Sequence, residues 1–134
     1  MTYSKLITEA RDVLKPRKLP GGDAGDVAAA LMTKSGNIYT GVCIDVSSGI
    51  GFCAEHSAIA AMITAGESEI SSIVAVWGED TILPPCGRCR ELINQIHANN
   101  LDGTEVVVER NRAIKLRELL PLPYQETWDS NDGI

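Results

Sequence analysis

A chain of 134 residues with net charge −6, 44% hydrophobic and 22% charged residues suits one domain with one buried core. Its acidity and lack of a Lys/Arg run exclude the basic stripe of a nucleic-acid-binding surface, and no apolar run is long enough for a membrane span. Aromatic residues make up only 4%, so aliphatic side chains must fill the interior.

Between Ser4 and Leu14 the apolar positions Leu6, Ile7, Ala10, Val13 and Leu14 keep helical spacing, with Ser4 as cap. Pro16 and Pro20-Gly21-Gly22 are expected to end that helix and open a flexible connection. Val27 to Thr33 and Asn37 to Cys43 read as strands around the turn Lys34-Ser35-Gly36-Asn37. A small-residue loop, Ser47 to Gly51, then delivers the chain to Cys53. Ala54 to Ala65 reads as a buried helix stopped by Gly66, and Ile73 to Trp77 as a central strand. Pro84-Pro85 breaks the chain before a helix from Gly87 to Ala98. Val106 to Val108 is another strand, and Leu116 to Leu120 a last short helix cut by Pro121. Helices alternating with buried strands predict one three-layer α/β/α domain over residues 1–134, without repeat or linker.

The chemistry sits in Cys53-Ala54-Glu55 and Pro85-Cys86-Gly87-Arg88-Cys89. Nothing at Met1 to Lys5 resembles a basic segment leading an apolar one, so these thiols are expected to stay reduced, in a cytoplasmic setting. Cys86 and Cys89 lie three residues apart and reach one metal from the same helical turn. With Cys53 they make three thiolate ligands for one zinc ion, whose open fourth position is the mark of a catalytic site. Each half of the motif falls at a predicted helix start, where partial positive charge favours thiolates. Three thiolates leave zinc with a formal charge of about −1, which the helix ends and Arg90 are expected to offset. Glu55, two residues past Cys53, is placed to carry protons at the open position, and burial would bring its pKa toward working pH.

Plainer readings compete. A structural zinc site needs a fourth protein ligand, for which Cys43, His56 and His97 are the candidates. Cys43 is expected to pack as a small apolar residue, His56 to point away from the metal, and His97 to be a solvated helix residue. A non-catalytic binding module stabilised by zinc is the alternative function.

With these residues quoted, the chain from Val27 to Tyr124 resembles the small tetrameric cytidine deaminases, closest in character to the blasticidin-S deaminases. The segments Gly36-Asn37-Ile38-Tyr39-Thr40-Gly41, Cys53-Ala54-Glu55, Pro85 to Leu92 and Glu118-Leu119-Leu120-Pro121 carry the likeness. The resemblance implies a five-stranded mixed sheet between helices and a homotetramer with active sites at subunit interfaces. It implies one zinc per subunit on Cys53, Cys86 and Cys89, with Glu55 protonating N3 as water adds to C4 of a cytosine ring and ammonia leaves. Backbone groups near Ala54 and Pro85 would hold the exocyclic nitrogen and ring carbonyl. The implied substrate is a small cytosine nucleoside or analogue, with neither nucleic acid nor membrane as partner.

The chain also departs from that pattern. An aromatic residue that packs on the base is replaced by Gly25, and the Asn-x-Glu sugar contacts by Cys43-Ile44-Asp45. Asp45 can still accept a hydrogen bond from a sugar hydroxyl, whereas Cys43 cannot replace an amide. Tyr124 and Trp128, shared with the blasticidin-S deaminases, are expected to close over a neighbouring subunit's pocket. His56 stands where an arginine is common, which shifts the expected charge compensation to Arg90.

Overall fold

Two strands apolar on both faces, β2 (Gly22–Thr33) and β4 (Ile70–Trp77), organise the computed structural model, which describes residues 3–125. Successive side chains of a strand point to opposite faces. Ala28, Ala30, Val74 and Val76 therefore meet Leu6, Ile7 and Ala10 of helix α1 (Ser4–Val13) on one side. Ala29, Leu31, Ile73 and Ala75 meet Ala58, Ile59 and Met62 of α2 (Ala54–Thr64), and Ile93 of α3 (Gly87–Gln95), on the other. The sheet is thus buried between two helical layers, as the alternation of elements predicts.

The sheet has seven strands rather than five. β3 (Ile38–Val46) and β4 flank β2 antiparallel, β6 (Glu105–Glu109) runs parallel to β4, and β7 (Arg112–Lys115) returns antiparallel to β6. Two three-residue strands complete it: β1 (Arg17–Leu19) on the start of β2, and β5 (Thr81–Leu83) on the end of β4. Such short pieces carry no readable two-residue period. β1 also corrects the expected flexible connection, because Pro20-Gly21 is a hairpin turn between paired strands. Other boundaries move as well. Tyr3 holds the N-cap of α1 without a side-chain capping bond, and Ser4 is the first helical residue. α3 stops at Gln95, followed by a short α4 (Asn100–Gly103), and α5 (Leu116–Leu119) follows β7 directly.

Two local devices set where the helices sit. Gly41 lets the first turn of α2 lie against β3: a Cβ there would fall 2.4 Å from both the Ala58 nitrogen and the Ser57 Cβ. Ser57 Oγ donates to the Val42 carbonyl at 2.7 Å, tying the same turn to the same strand. In the same layer, beyond α3, Asn100 is fully buried. Its Oδ1 accepts the Ile70 N–H at 2.9 Å, and its Nδ2 donates to the Ser68 and Ile93 carbonyls at 3.1 and 2.9 Å. Asn100→Ala leaves these groups without their partner in the interior and is expected to cost about 2–4 kcal/mol. Thermal denaturation checks it, and an unchanged melting temperature would refute it. No helix among the described residues is long and apolar enough to cross a membrane.

Candidate metal centre and active site

Both halves of the cysteine motif are helix caps with nearly the same backbone. Cys53 caps α2 at φ −71°, ψ 158°, and Cys86 caps α3 at φ −71°, ψ 170°. Cys89 lies in the first turn of α3, so it shares the rising end of that helix with Cys86. The loop before Cys53 is fixed by a bridge in which Ile44 and Phe52 exchange backbone hydrogen bonds, each 3.0 Å. Pro85 precedes the other cap, and Arg90 clamps it: Nε donates to the Pro85 carbonyl at 2.8 Å and one terminal nitrogen to the Leu119 carbonyl at 3.0 Å.

These elements bring the sulfurs of Cys53, Cys86 and Cys89 within 4.8 Å of one another. Cys53 and Cys86 are 3.4 Å apart, Cys86 and Cys89 3.8 Å. Tetrahedral zinc with bonds of about 2.3 Å spaces its sulfur ligands by about 3.8 Å, so the cluster fits that ion. Among the described residues no fourth side chain joins the group, which leaves the open position of a catalytic site.

The thiols are also electrostatically crowded. Burial, then the Cys86 thiol, pushes Cys53 up to about 11. Burial, then the Glu55 carboxylate and the other two sulfurs, raises Cys89 further. Burial acts upward on Cys86 too, but the backbone N–H groups of Cys89 and Arg88 and the neighbouring thiols outweigh it, and Cys86 falls below its ordinary value. Only a bound cation lets all three ionise together. Zinc added to the metal-free protein at pH 7 is therefore expected to displace about two to three protons per ion, with affinity falling as pH falls. Calorimetry in buffers of different ionisation enthalpy counts them, and release below one proton per ion would contradict the trithiolate site.

Glu55 is 5% exposed at the second position of α2. Burial raises its pKa, partly offset by its own backbone N–H and the Cys89 thiol. Together with Cys53, Ala54 and Cys86 it lines a cavity of about 410 Å³, a size typical of small-molecule sites. Cys43 and Asp45 of β3 form one wall, and Phe52, Pro84 and Arg88 line it elsewhere. Cys43 is buried, accepts the Val27 N–H on Sγ at 3.3 Å, and faces the cavity as well as the core. Asp45 is exposed.

Other expected site residues fall elsewhere. Pro85 lines a smaller cleft behind Glu55, while its neighbour Pro84 lines the main cavity. Tyr124 is 59% exposed and donates its backbone N–H to the Glu91 carboxylate at 3.1 Å, away from this chain's cavity. Trp128 lies outside the described residues. Gly25 is not a vacated aromatic position on the cavity wall. It sits at φ +81° in the irregular stretch of β2, where a Cβ would come within 2.2 Å of the Lys15 carbonyl.

Both histidines depart from expectation. His97 lies beyond the end of α3, where Nδ1 accepts the Asn99 N–H and Nε2 is 3.6 Å from Glu69. His56 does not point away from the thiols: Nδ1 is 3.2 Å from Cys89 Sγ. Its ring stacks on Phe52 with centroids 6.1 Å apart, and burial, then Arg88, lowers its pKa. The sequence reading missed Phe52 and Arg88. The only phenylalanine of the chain, directly before Cys53, was the available signal for the first.

Comparison with known proteins agrees with this geometry. Residues 2–102 match the signature of the cytidine and deoxycytidylate deaminase zinc-binding region. A cytidine deaminase of Mycobacterium tuberculosis is 32% identical over 97 residues, 71% of this chain and 69% of that protein. A blasticidin-S deaminase of Bacillus cereus is 34% identical over 110 residues, 73% of this chain and 76% of that protein. The crystal structure of cytidine deaminase from Mycobacterium leprae superposes with a TM-score of 0.77 at 25% identity, covering 91% of this chain and 99% of the other. With the three-cysteine zinc site, the buried glutamate and the fold in agreement, the chain belongs to the cytidine and deoxycytidylate deaminase family.

Proposed function

We propose that this protein is a zinc-dependent hydrolytic deaminase that converts the cytosine ring of a nucleoside or nucleoside analogue to uracil and releases ammonia. The observation that carries the reading is the three-sulfur cluster, two of whose cysteines, Cys53 and Cys86, line one cavity with buried Glu55. Bound there, zinc supplies Lewis acidity that brings the ionisation of water within reach of neutral pH. Glu55 would take one proton from the attacking water and hand it to ring N3 as oxygen adds to C4. It would then carry the remaining hydroxyl proton to the 4-amino group, which leaves as ammonia when its bond to C4 breaks. Its raised pKa suits a group that must both accept and return a proton. The backbone at Ala54 and Pro84 orients the ring, and Cys43 with the Val27 side of β2 packs beside it. Asp45 meets the sugar or its replacement. Because the wall offers a thiol where an amide would bind a hydroxyl, substrate choice should depart from that of a strict ribonucleoside enzyme.

The working form is read as a homotetramer with Tyr124 contributing to a neighbouring pocket. Support comes from α2, which has no charged residue after Glu55 and leaves Ala60, Ala61 and Ile63 exposed on its outer side. A helix apolar all round is one that expects to be covered. Residues 1–134 act as one domain, and unpaired cysteines suit a reducing cytoplasmic setting.

The test is ammonia release, with the accompanying change of cytosine to uracil absorbance, from cytidine, deoxycytidine and blasticidin S. Turnover of at least one is expected. Inactivity of the zinc-loaded protein toward all of them, and toward further cytosine nucleosides, would overturn the reading. Native mass spectrometry gives the number of copies.

A further inference from the structure

We propose that His56 is a positioning residue of the metal centre, donating its Nδ1–H to the Cys89 sulfur so as to hold that ligand and draw off part of its charge. The role rests on zinc occupying the three-cysteine cluster.

Three observations converge on it. Nδ1 lies 3.2 Å from Cys89 Sγ, and a zinc-bound thiolate has no proton to give, so the imidazole must be the donor. Cys89 is fully buried, whereas Cys53 is half-buried and Cys86 exposed. Water can therefore hydrate the other two sulfurs but not this one, and a buried anion needs a donor from the protein. Finally, His56 bridges both halves of the motif: its backbone N–H donates to the Cys53 carbonyl at 3.0 Å while its ring reaches Cys89. The stacked Phe52 ring fixes its orientation.

Other assignments fit less well. Arg90 spends Nε and a terminal nitrogen on the Pro85 and Leu119 carbonyls, and an Arg88 terminal nitrogen donates to the Gly51 carbonyl at 3.3 Å. Nor does His56 complete a closed four-ligand site, since the metal-competent group among the described residues contains the three sulfurs alone. A hydrogen bond to a ligand sulfur reduces the electron density it gives the metal, so zinc keeps more Lewis acidity despite three anionic ligands.

The test compares His56→Phe, which keeps a ring against Phe52 but has no N–H, with His56→Asn, whose amide nitrogen occupies nearly the place of Nδ1. Zinc affinity is read by chelator competition, and ligand donation by the sulfur-to-metal charge-transfer band of the cobalt-substituted protein. His56→Phe is expected to weaken zinc binding about 10–100-fold and to move the band to longer wavelength, with His56→Asn near wild type. Should His56→Phe fail to fold, His56→Ala replaces it in the same comparison. Wild-type affinity with an unmoved band in the N–H-free variant would overturn the role, as would His56→Asn being equally impaired. A histidine nitrogen in the zinc shell by X-ray absorption, lost in His56→Phe, would make His56 a ligand instead and also overturn it. A wild-type protein that takes up no zinc would remove the metal reading itself, whereas normal uptake with an indifferent variant would remove only this role.

Discussion

Glu55→Gln is expected to lower kcat/KM for cytosine deamination about 10²–10⁴-fold, the range general acid–base groups supply, and with a proton relay used twice the effect should lie toward the upper end. Glutamine has the size and shape of the carboxyl it replaces, so it fits the same buried place in the first turn of α2. It can still donate a hydrogen bond but can neither take a proton from water nor return one to the ring. Zinc should remain bound at one ion per chain, because the metal-competent group consists of the sulfurs of Cys53, Cys86 and Cys89. Ammonia release measured beside metal content separates the two effects. Near-normal turnover in this variant would take Glu55 out of the mechanism, and loss of zinc would show that its carboxylate helps hold the metal.

The same substitution carries a stability prediction of definite sign. In the metal-free protein burial raises the Glu55 pKa, so the folded state favours the neutral acid. Its favourable contribution is complete below the unfolded-state value and is lost as pH rises through the folded-state value, because the buried carboxylate must then ionise. Metal-free Glu55→Gln does not incur that loss. It should therefore melt at or above the wild-type temperature at neutral pH and lose the advantage in acid. A catalytic group that costs stability is a common exchange at active sites.

Gly41→Ala is expected to disturb the seating of the helix that carries the catalytic motif. The added Cβ would meet the Ala58 nitrogen and the Ser57 Cβ at 2.4 Å, atoms that belong to the helix itself and cannot swing aside. α2 must lift from β3, straining the 2.7 Å bond from Ser57 Oγ to the Val42 carbonyl. A cost of about 2–4 kcal/mol is expected, a fall in melting temperature of roughly 10 °C. Activity should fall further than stability explains, because the displaced turn carries Cys53 and Glu55. Gly103→Ala is the control, since no atom lies within 4 Å of a Cβ there. Equal melting of both variants with wild type would mean that the close approach is not needed.

What could be read in advance follows the range of the interactions involved. Helices α1, α2 and α3 and strands β2 to β4 and β6 announce themselves because their periodicity is written in adjacent residues. Cys86 and Cys89 share a metal because one helical turn brings them together, and Glu55 lies beside Cys53 for the same local reason. The short strands β1, β5 and β7 exist because a long neighbour offers them an edge, and nothing in three or four residues reveals that offer.

The cysteine-glutamate motif and the layered α/β/α architecture were thus determined by the sequence itself, through spacing and alternation that need no partner. Whether Pro84 or Pro85 faces the cavity, that Gly25 turns toward Lys15, and that His56 reaches Cys89 were decided only by tertiary structure. His56 and Cys89 are 33 positions apart on different helices, and their contact depends on how α2 and α3 are each seated on the sheet. Local chemistry sets the direction of a side chain from its own backbone, but the packing of distant elements sets what stands in its way.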